Sequence, residues 1–250
     1  MKKLISLLVL AACFSAFATP VNITVVGPIA VSTWNGDPVP PFNTNVPPGD
    51  NQVLPDNLLG NNWDMEAVIL DGSKLSLVAS YDWMNGVPSD AVTTGDLFLA
   101  VNGDTKYDYA LRFNFGTDNY DVYKIVSGTT FNSVNDGKNG LLANPFTVVA
   151  GSANDLGDHA FLYTTGLSDN AALGYTSWPG YGKTTHNEIT LNLADFLSLT
   201  AGEEIATHIT MTCGNDELNG HGRIPEPGSL SMILVGLLSL GGLALSRKRK

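Results

Sequence analysis

Carboxylates grouped around two predicted hairpins are the residues of this chain best suited to chemistry. Aspartate side chains and turn carbonyls are the oxygen ligands that Ca²⁺ takes in proteins, roughly six to eight at a time. The segment that carries Asn102, Asp104 and Asp108 lacks the closely alternating aspartates of a calcium loop. We therefore expect these acids to lie solvated in turns, and we predict no cofactor. Calcium is the metal that such acids would suit. The acids are Asp64, Glu66, Asp71, Asp82, Asp96, Asp104, Asp108, Asp118 and Asp121.

Catalytic motifs are missing from the sequence. It contains no His-Glu-x-x-His and no Gly-x-Ser-x-Gly, the arrangements that place a metal site or a nucleophile. The four histidines, His159, His186, His208 and His221, are far apart in the chain. His208 alternates with Ile209 and Met211, so we expect it on the exposed polar face of a strand. The sequence predicts no catalytic residue and no enzyme. A glycoside hydrolase stays open as an alternative, because its paired carboxylates form in space.

The two cysteines do not form an internal disulfide in a processed chain. Cys13 falls inside a predicted signal peptide, which leaves Cys213 alone. A lone cysteine on an apolar strand face is usually a small buried hydrophobic residue. An intermolecular disulfide and a reactive thiol remain open alternatives.

Aromatic residues in the segment GYTSWPGYGKTTHN could bind sugars. Trp178, Tyr175 and Tyr181 offer flat rings of the kind that stack on carbohydrate. In a β-sandwich most aromatic side chains belong to the core instead. A carbohydrate-binding module for extracellular polysaccharide is therefore the alternative function.

The elements that must position these residues are strands. MEAVILDGSKLSLVASY reads as a hairpin turning at Asp71-Gly72, with Leu75, Leu77, Ala79 and Tyr81 on one face. A second hairpin turns near Asn102-Gly103, and the alternation of its return strand predicts a buried face. That face comprises Tyr107, Tyr109, Leu111, Phe113 and Phe115. DVYKIVSG, HAFLYTTG, NEITLNL and EIATHITMTC predict further strands, and LADFLSLT a short helix. The fold class is all-β, an antiparallel, jelly-roll-like β-sandwich over residues 19–222.

Charge is distributed unevenly along the 250 residues. The chain has 24 acidic residues against 13 Lys and Arg. Nucleic acid is excluded as a partner, because its binding requires clustered cations. Basic residues in the terminal segments are Lys2, Lys3, Arg247, Lys248, Arg249 and Lys250.

The N-terminal segment has the pattern of an export signal. Lys2 and Lys3 precede an apolar run, and Ala16 and Ala18 are the small residues that a signal peptidase requires before Thr19. We therefore predict a signal peptide over residues 1–18. Leu10-Ala11-Ala12-Cys13 also has the form of a lipobox, which leaves lipidation of Cys13 open.

The C-terminal segment predicts a single transmembrane helix. Residues 230–246 carry no charge, and as a helix they would be ~25 Å long, near the lower limit for crossing a bilayer. The basic residues 247–250 favour a cytoplasmic end. With Lys2 and Lys3 also cytoplasmic, both ends place the middle of the chain outside the inner membrane.

Pro225-Glu226-Pro227 followed by an apolar helix and a basic cluster resembles the PEP-CTERM sorting signal of Gram-negative bacteria, here over residues 223–250. The same tail is also labelled a C-terminal domain of ice-binding proteins. NWDMEAVILDGSKLSLVASYDW and THITMTCGNDELNG look like parts of exosortase-dependent surface proteins. The resemblance implies an exosortase-type membrane protease as partner, transient inner-membrane anchoring and delivery to the cell surface or the extracellular matrix. We expect a non-catalytic structural or adhesive role there.

Overall fold

A computed structural model describes residues 20–24, 33–34, 37–38, 65–80, 82–86, 92–101, 103, 106–134, 145–167, 186–212 and 217–225. The predicted signal peptide and transmembrane helix lie outside these residues. Within them, no helix is both long and apolar enough to cross a membrane.

Two antiparallel sheets form the body of the protein, which confirms the all-β prediction. The five-stranded sheet contains, in spatial order, β1 (Val21–Asn22), β4 (Met65–Asp71), β5 (Lys74–Ala79), β13 (His186–Asn192) and β12 (Leu162–Leu167). The six-stranded sheet contains β11 (Asn154–Ala160), β8 (Asn119–Lys124), β7 (Tyr109–Asn114), β6 (Leu97–Val101), β14 (Glu204–Thr210) and β15 (Glu217–Arg223). Two-stranded ribbons pair β2 (Thr33–Trp34) with β3 (Asp37–Pro38) and β9 (Phe131–Asn132) with β10 (Thr147–Val148).

The first predicted hairpin is confirmed as β4 and β5. Leu70 pairs with Leu75 across the turn, and Gly72 has a φ of +60°. A left-handed residue in a tight turn favours glycine, which has no Cβ to clash. The Asp-Gly pair therefore fixes the turn and, through it, which side chains of β5 face the core.

The second predicted hairpin is confirmed as β6 and β7, but one of its side chains points the other way. Tyr109, Leu111 and Phe113 face the main core, whereas Tyr107 lies in a separate cluster on the opposite face. Asp108 donates its N–H to the Leu99 carbonyl at 2.7 Å, although Leu99 already pairs with Tyr109. Asp108 and Tyr109 thus both face Leu99, as in a β-bulge, and the alternation breaks between Tyr107 and Tyr109.

Two other sequence predictions differ from the structure. HAFLYTTG is not one strand, because β11 ends at Ala160 and β12 begins at Leu162 in the other sheet. Between them, the buried Phe161 packs edge-on against Phe113 at a centroid distance of 6.0 Å. LADFLSLT forms only a single 3₁₀ turn, Leu193–Asp195.

The main core lies between the two sheets and draws on alternate residues of both. Burying such side chains stabilises the fold by roughly 1.5–3 kcal/mol each. Its largest fully buried members include Trp83, Met65, Leu75, Leu77, Leu97, Leu99, Leu111, Tyr120 and Ile189.

A second core covers the outer face of the six-stranded sheet. Phe98, Ala110 and Ala206 point away from the main core and are nonetheless almost fully buried. Phe131 of β9 and Val148 of β10 pack against them. The β9–β10 ribbon therefore lies over this sheet, so that strands β6, β7 and β14 are buried on both faces.

An ion pair between the half-buried Arg112 and the buried Asp96 fixes the ribbon to the sheet. Arg112 donates from Nε and Nη2 to the two carboxylate oxygens of Asp96, at 2.9 and 2.8 Å, and from Nη2 to the Val148 carbonyl at 2.6 Å. The same carboxylate accepts the Val148 N–H at 2.7 Å, and Asp96 donates its own N–H to Phe146. Burial raises the pKa of the Asp96 carboxyl, although its hydrogen bonds with Arg112 and Val148 act to lower it. The hydrogen bond to Asp96 in turn raises the pKa of Arg112.

We expect Asp96→Ala to destabilise the protein by about 3–5 kcal/mol, because it leaves a half-buried guanidinium and a buried N–H without their shared acceptor. Urea unfolding of the full chain in detergent measures the change. Glu204→Ala is the matched control: it removes the carboxylate of the exposed Glu204–Arg223 pair and should cost under about 1 kcal/mol. Equal losses for the two variants would contradict the role given to Asp96.

Candidate functional site at the terminal edge

The first described residues of the chain join the two sheets. Ile23 donates its N–H to Val68 of β4 at 2.9 Å and accepts the N–H of His221 of β15 at 2.8 Å. Thr24 then bridges to Gly220 and accepts the Val68 N–H on its hydroxyl. Ile23 is itself buried in the main core. This short segment therefore closes one open edge of the sandwich.

Two glycines of β15 make room for this closure. A Cβ on Gly222 would overlap Cγ2 of Ile23, and one on Gly220 would come within 2.6 Å of Thr207 Oγ1 and 3.1 Å of Val68 Cβ. Neither glycine needs a left-handed backbone. They are required because β15 lies directly against neighbouring side chains.

Ile224, next to the last described residue, is still held in the sandwich. Its N–H donates to the Glu203 carbonyl at 2.8 Å, and its carbonyl accepts the N–H of Gly202 at 2.9 Å. Its side chain is 6% exposed and belongs to the main core. Arg223 beside it pairs with Glu204 at the surface. The folded contacts thus extend through the residue that precedes Pro225.

Both ends of the described chain leave the sandwich at the same end. Thr24 and Gly220 pair antiparallel, so residues before Thr24 run alongside residues after Gly220. Val21 pairs with Leu70, next to the Gly72 turn. A leader before Pro20 and a tail after Pro225 would therefore start close together.

The segment with the predicted sugar-binding aromatics is attached at the opposite end. It connects Leu167 to His186, which pair where β12 ends and β13 begins. Asn192, at the other end of β13, pairs with Lys74 beside the Gly72 turn. At ~3.4 Å per residue, the seven residues of β13 separate the two ends by roughly 20 Å.

The predicted processing and binding residues fall mostly outside the described chain. Pro225 is half-buried next to Ile224, whereas Glu226 and Pro227 lie beyond the last described residue. Outside it as well are Ala16, Ala18, Thr19, Tyr175, Trp178, Tyr181, Asp64, Asp104, Cys13 and Cys213.

Several of the predicted turn acids hold the backbone in place. Asp82 accepts the N–H of Met84 and hydrogen bonds from Asn85 and the Tyr163 hydroxyl. Partial burial opposes these bonds, but together they lower the pKa of its carboxyl. Asp108 accepts the Val101 N–H at 2.8 Å. In the part of the chain that the structure describes, no three His, Cys, Asp or Glu residues are grouped as metal ligands would be.

A buried acid–histidine pair escaped the sequence analysis. Glu66 Oε2 lies 2.7 Å from His186 Nδ1, and the two side chains are 3% and 4% exposed. The separation is that of an ion pair. Glu66 is the only charged residue in the apolar run MEAVIL, which was the available signal. A carboxylate can orient an imidazole base, but here both groups are covered.

The prediction that His208 is exposed was wrong. Its side chain is 1% exposed and lies in the second core, where its ring centroid is 6.4 Å from Phe98 and 6.2 Å from Tyr107. The strand face was assigned correctly, but the β9–β10 ribbon covers that face. Nδ1 hydrogen bonds to Asn219 Oδ1 at 2.8 Å. Burial lowers the pKa of His208 to about 4, opposed by Asn219 and the Pro145 carbonyl.

An open groove of about 410 Å³ lies beside the departing C-terminal chain. It is lined by residues 200–204 and Arg223, with Glu203 and Glu204 as its acids. None of these described lining residues carries the flat aromatic ring on which a sugar would stack.

Comparisons of the chain with protein-family models, with curated proteins and with solved structures found no match.

We expect Gly222→Ala to destabilise the protein by about 1–3 kcal/mol, because the new methyl group must displace Ile23 from between the sheets. Urea unfolding gives the magnitude, and faster amide exchange at His221 would locate the damage. Gly116→Ala is the matched control, since its Cβ would meet only Asn114 Oδ1 at 3.6 Å. A change of under about 0.5 kcal/mol in both variants would refute the close approach.

The buried His208 should make stability depend on pH. Between pH 6.5 and 4 the unfolded chain binds a proton that folded His208 does not, so the stability due to this group is complete above 6.5 and falls as pH decreases. The loss should reach about 3 kcal/mol at pH 4. Unfolding measured from pH 7 to 4 should show a shallower pH dependence for His208→Gln. His221→Gln, at an exposed site, should keep the wild-type slope; an unchanged slope in both would contradict burial of His208.

Proposed function

We propose that this protein is exported, sorted by an exosortase-type membrane protease through Pro225, Glu226 and Pro227, and delivered to the cell surface or extracellular matrix. Its role there is structural or adhesive rather than catalytic. The proposal includes the signal peptide over residues 1–18, the transmembrane helix over 230–246 and a jelly-roll-like wrapping of the sandwich.

The observation that carries the proposal is that the folded contacts reach Ile224, directly before the motif. Ile224 is buried and bonded through both of its backbone polar groups, and Pro225 follows directly. A sorting sequence placed there can be removed without removing any strand of the sandwich. Such an arrangement suits a disposable tail.

The shared exit of both ends is a second support. Adjacent attachment points suit a leader and a tail that enter the same inner membrane from the same side, and the pairing of Thr24 with Gly220 brings Val21 and Arg223 together. The Leu167–His186 end of the sandwich then projects away from the membrane. Contacts with matrix material would form at that distal end.

The hydrogen bonds that several of the predicted acids make support a non-catalytic role. Asp82 and Asp108 hold turns, and Asp96 holds the β9–β10 ribbon through Arg112. Carboxylates committed to such bonds are poorly placed to exchange protons with a substrate.

Polysaccharide binding is the second candidate function. The segment that contains Tyr175, Trp178 and Tyr181 is attached at the end opposite the termini. Aromatic rings presented there would face the matrix before and after processing.

Sorting is tested by recovering the protein from its own host and measuring its intact mass. We expect the surface or matrix fraction to hold a chain without residues 230–246. Replacing Pro225, Glu226 and Pro227 with alanine should keep the protein at the inner membrane with its tail attached. Arg223→Ala, two residues before Pro225 and outside the Pro225-Glu226-Pro227 motif itself, is the control and should be sorted normally. A mature surface protein with an intact tail would contradict the proposal.

A further inference from the structure

Asn-Gly is a chemically labile pair that occurs five times in the sequence. Glycine has no side chain to shield its backbone nitrogen, so this nitrogen can attack the side-chain amide of the asparagine before it. Two of the pairs, Asn85-Gly86 and Asn219-Gly220, lie wholly within the described residues. Their surroundings are opposite, and this difference decides which pair is open to the reaction.

Asn219-Gly220 is protected inside the sandwich. Asn219 is fully buried, and its Oδ1 is hydrogen bonded to Nδ1 of His208 at 2.8 Å. Gly220 pairs with Thr207 on one side and bridges to Thr24 on the other. Groups held in this way react only when the sheet itself opens. The pair therefore serves as the unreactive reference within the same molecule.

Asn85-Gly86 lies in a surface turn between β5 and β6. Asn85 is exposed, and Gly86 has a φ of +64°. Both reacting groups are bonded to one residue: the Gly86 N–H donates to the Asp82 carbonyl at 2.8 Å, and Asn85 Nδ2 donates to Asp82 Oδ2 at 2.8 Å. A turn on the surface opens at a lower free energy than a paired, buried strand. Opening this turn frees the attacking nitrogen and the amide together.

Asp82 also connects this turn to β12. Its Oδ1 accepts the Tyr163 hydroxyl at 2.9 Å and the Met84 N–H at 3.1 Å. A carboxylate in place of the Asn85 amide would lose the bond to Oδ2 and bring two negative charges to hydrogen-bond distance, where they repel. A chemical change at Asn85 is thus felt at β12 through Asp82.

We propose that Asn85 is a deamidation site of the folded protein and that Asp82 limits its rate. The Gly86 nitrogen loses its proton and bonds to Cγ of Asn85, and the side-chain nitrogen leaves with that proton as ammonia. Water then opens the cyclic imide at either carbonyl, which gives aspartate or isoaspartate. One water is consumed and one ammonia released, without an enzyme or an oxidant. The new carboxylate loosens the attachment of the turn to β12.

The site is tested by incubating the full chain in detergent at mildly alkaline pH and mapping its peptides by mass spectrometry. Each conversion appears as the mass difference between a hydroxyl and an amino group. We expect Asn85 to convert at least about tenfold faster than Asn219. Asn85→Gln should abolish the signal from this turn, because the longer side chain does not form the same ring. Equal rates at Asn85 and Asn219, including no conversion at either, would overturn the proposal.

The role of Asp82 is tested in the same assay. Asp82→Ala removes the carboxylate that binds Asn85 and Met84, and should speed conversion of Asn85 by at least about tenfold. Asp155→Ala, which removes an exposed acid bonded to one backbone N–H in β11, is the matched control and should leave the rate unchanged. Conversion of Asn219 in each sample reports opening of the whole sandwich. An unchanged rate at Asn85, or an equal rise at both asparagines, would overturn the role of Asp82.

The consequence for the turn is tested with Asn85→Asp, which reproduces the aspartate product. We expect faster amide exchange at Met84, whose N–H is accepted by Asp82, because the two carboxylates repel. Exchange at Leu111, in the main core, should stay as in the wild type. Wild-type exchange at Met84 would contradict the loosening.

Discussion

The backbone of Ile23 is the contact on which the rest of this structure depends. Its N–H donates to β4 of the five-stranded sheet, and its carbonyl accepts from β15 of the six-stranded sheet. Its side chain fills the space between the two sheets. A single residue thereby fixes how the two sheets meet at this edge. It also dictates that Gly220 and Gly222 lack side chains and that β15 continues to Ile224. The positions of residues 20–22 and 223–225 follow from this one closure.

Burial of the six-stranded sheet on both faces is the second organising feature. A sandwich of two layers would leave Phe98, Ala206 and His208 in water, but the β9–β10 ribbon forms a third layer over them. The ribbon is short and has little pairing of its own. Its attachment depends instead on the pair between buried Asp96 and half-buried Arg112 and on hydrophobic contacts. Desolvating that pair is costly, and breaking it is costlier still, because an unpaired charge would be left behind.

Local chemistry explains which parts of the fold could be predicted from sequence. The β4–β5 hairpin was predictable because Asp71-Gly72 fixes the turn and an apolar stripe fixes the face. β15 was not predicted, since ELNGHGR is polar and contains two glycines, and the need for those glycines appears only when Ile23 and Thr207 lie against them. Tyr107 and His208 were placed wrongly for the same kind of reason. The extra residue at Asp108 and the β9–β10 ribbon that covers His208 are tertiary effects. The alternation of apolar and polar residues in the sequence does not predict them. Of the candidate site, the sequence contained the motif Pro225-Glu226-Pro227, whose role stays a prediction. The hydrogen bonds that hold Ile224 against residues 202–203 could not be predicted.

The central claim is that the N-terminal segment and the C-terminal strand leave the sandwich together, opposite the Leu167–His186 end. Spin labels on cysteines placed at Pro20 and Pro225, in a chain with Cys13→Ser and Cys213→Ser, test it through the distance between the labels. We expect a shorter distance for this pair than for labels at Leu167 and Pro225, with a difference on the order of 10–20 Å set by the length of β13. Equal distances, or a longer one for the terminal pair, would contradict it.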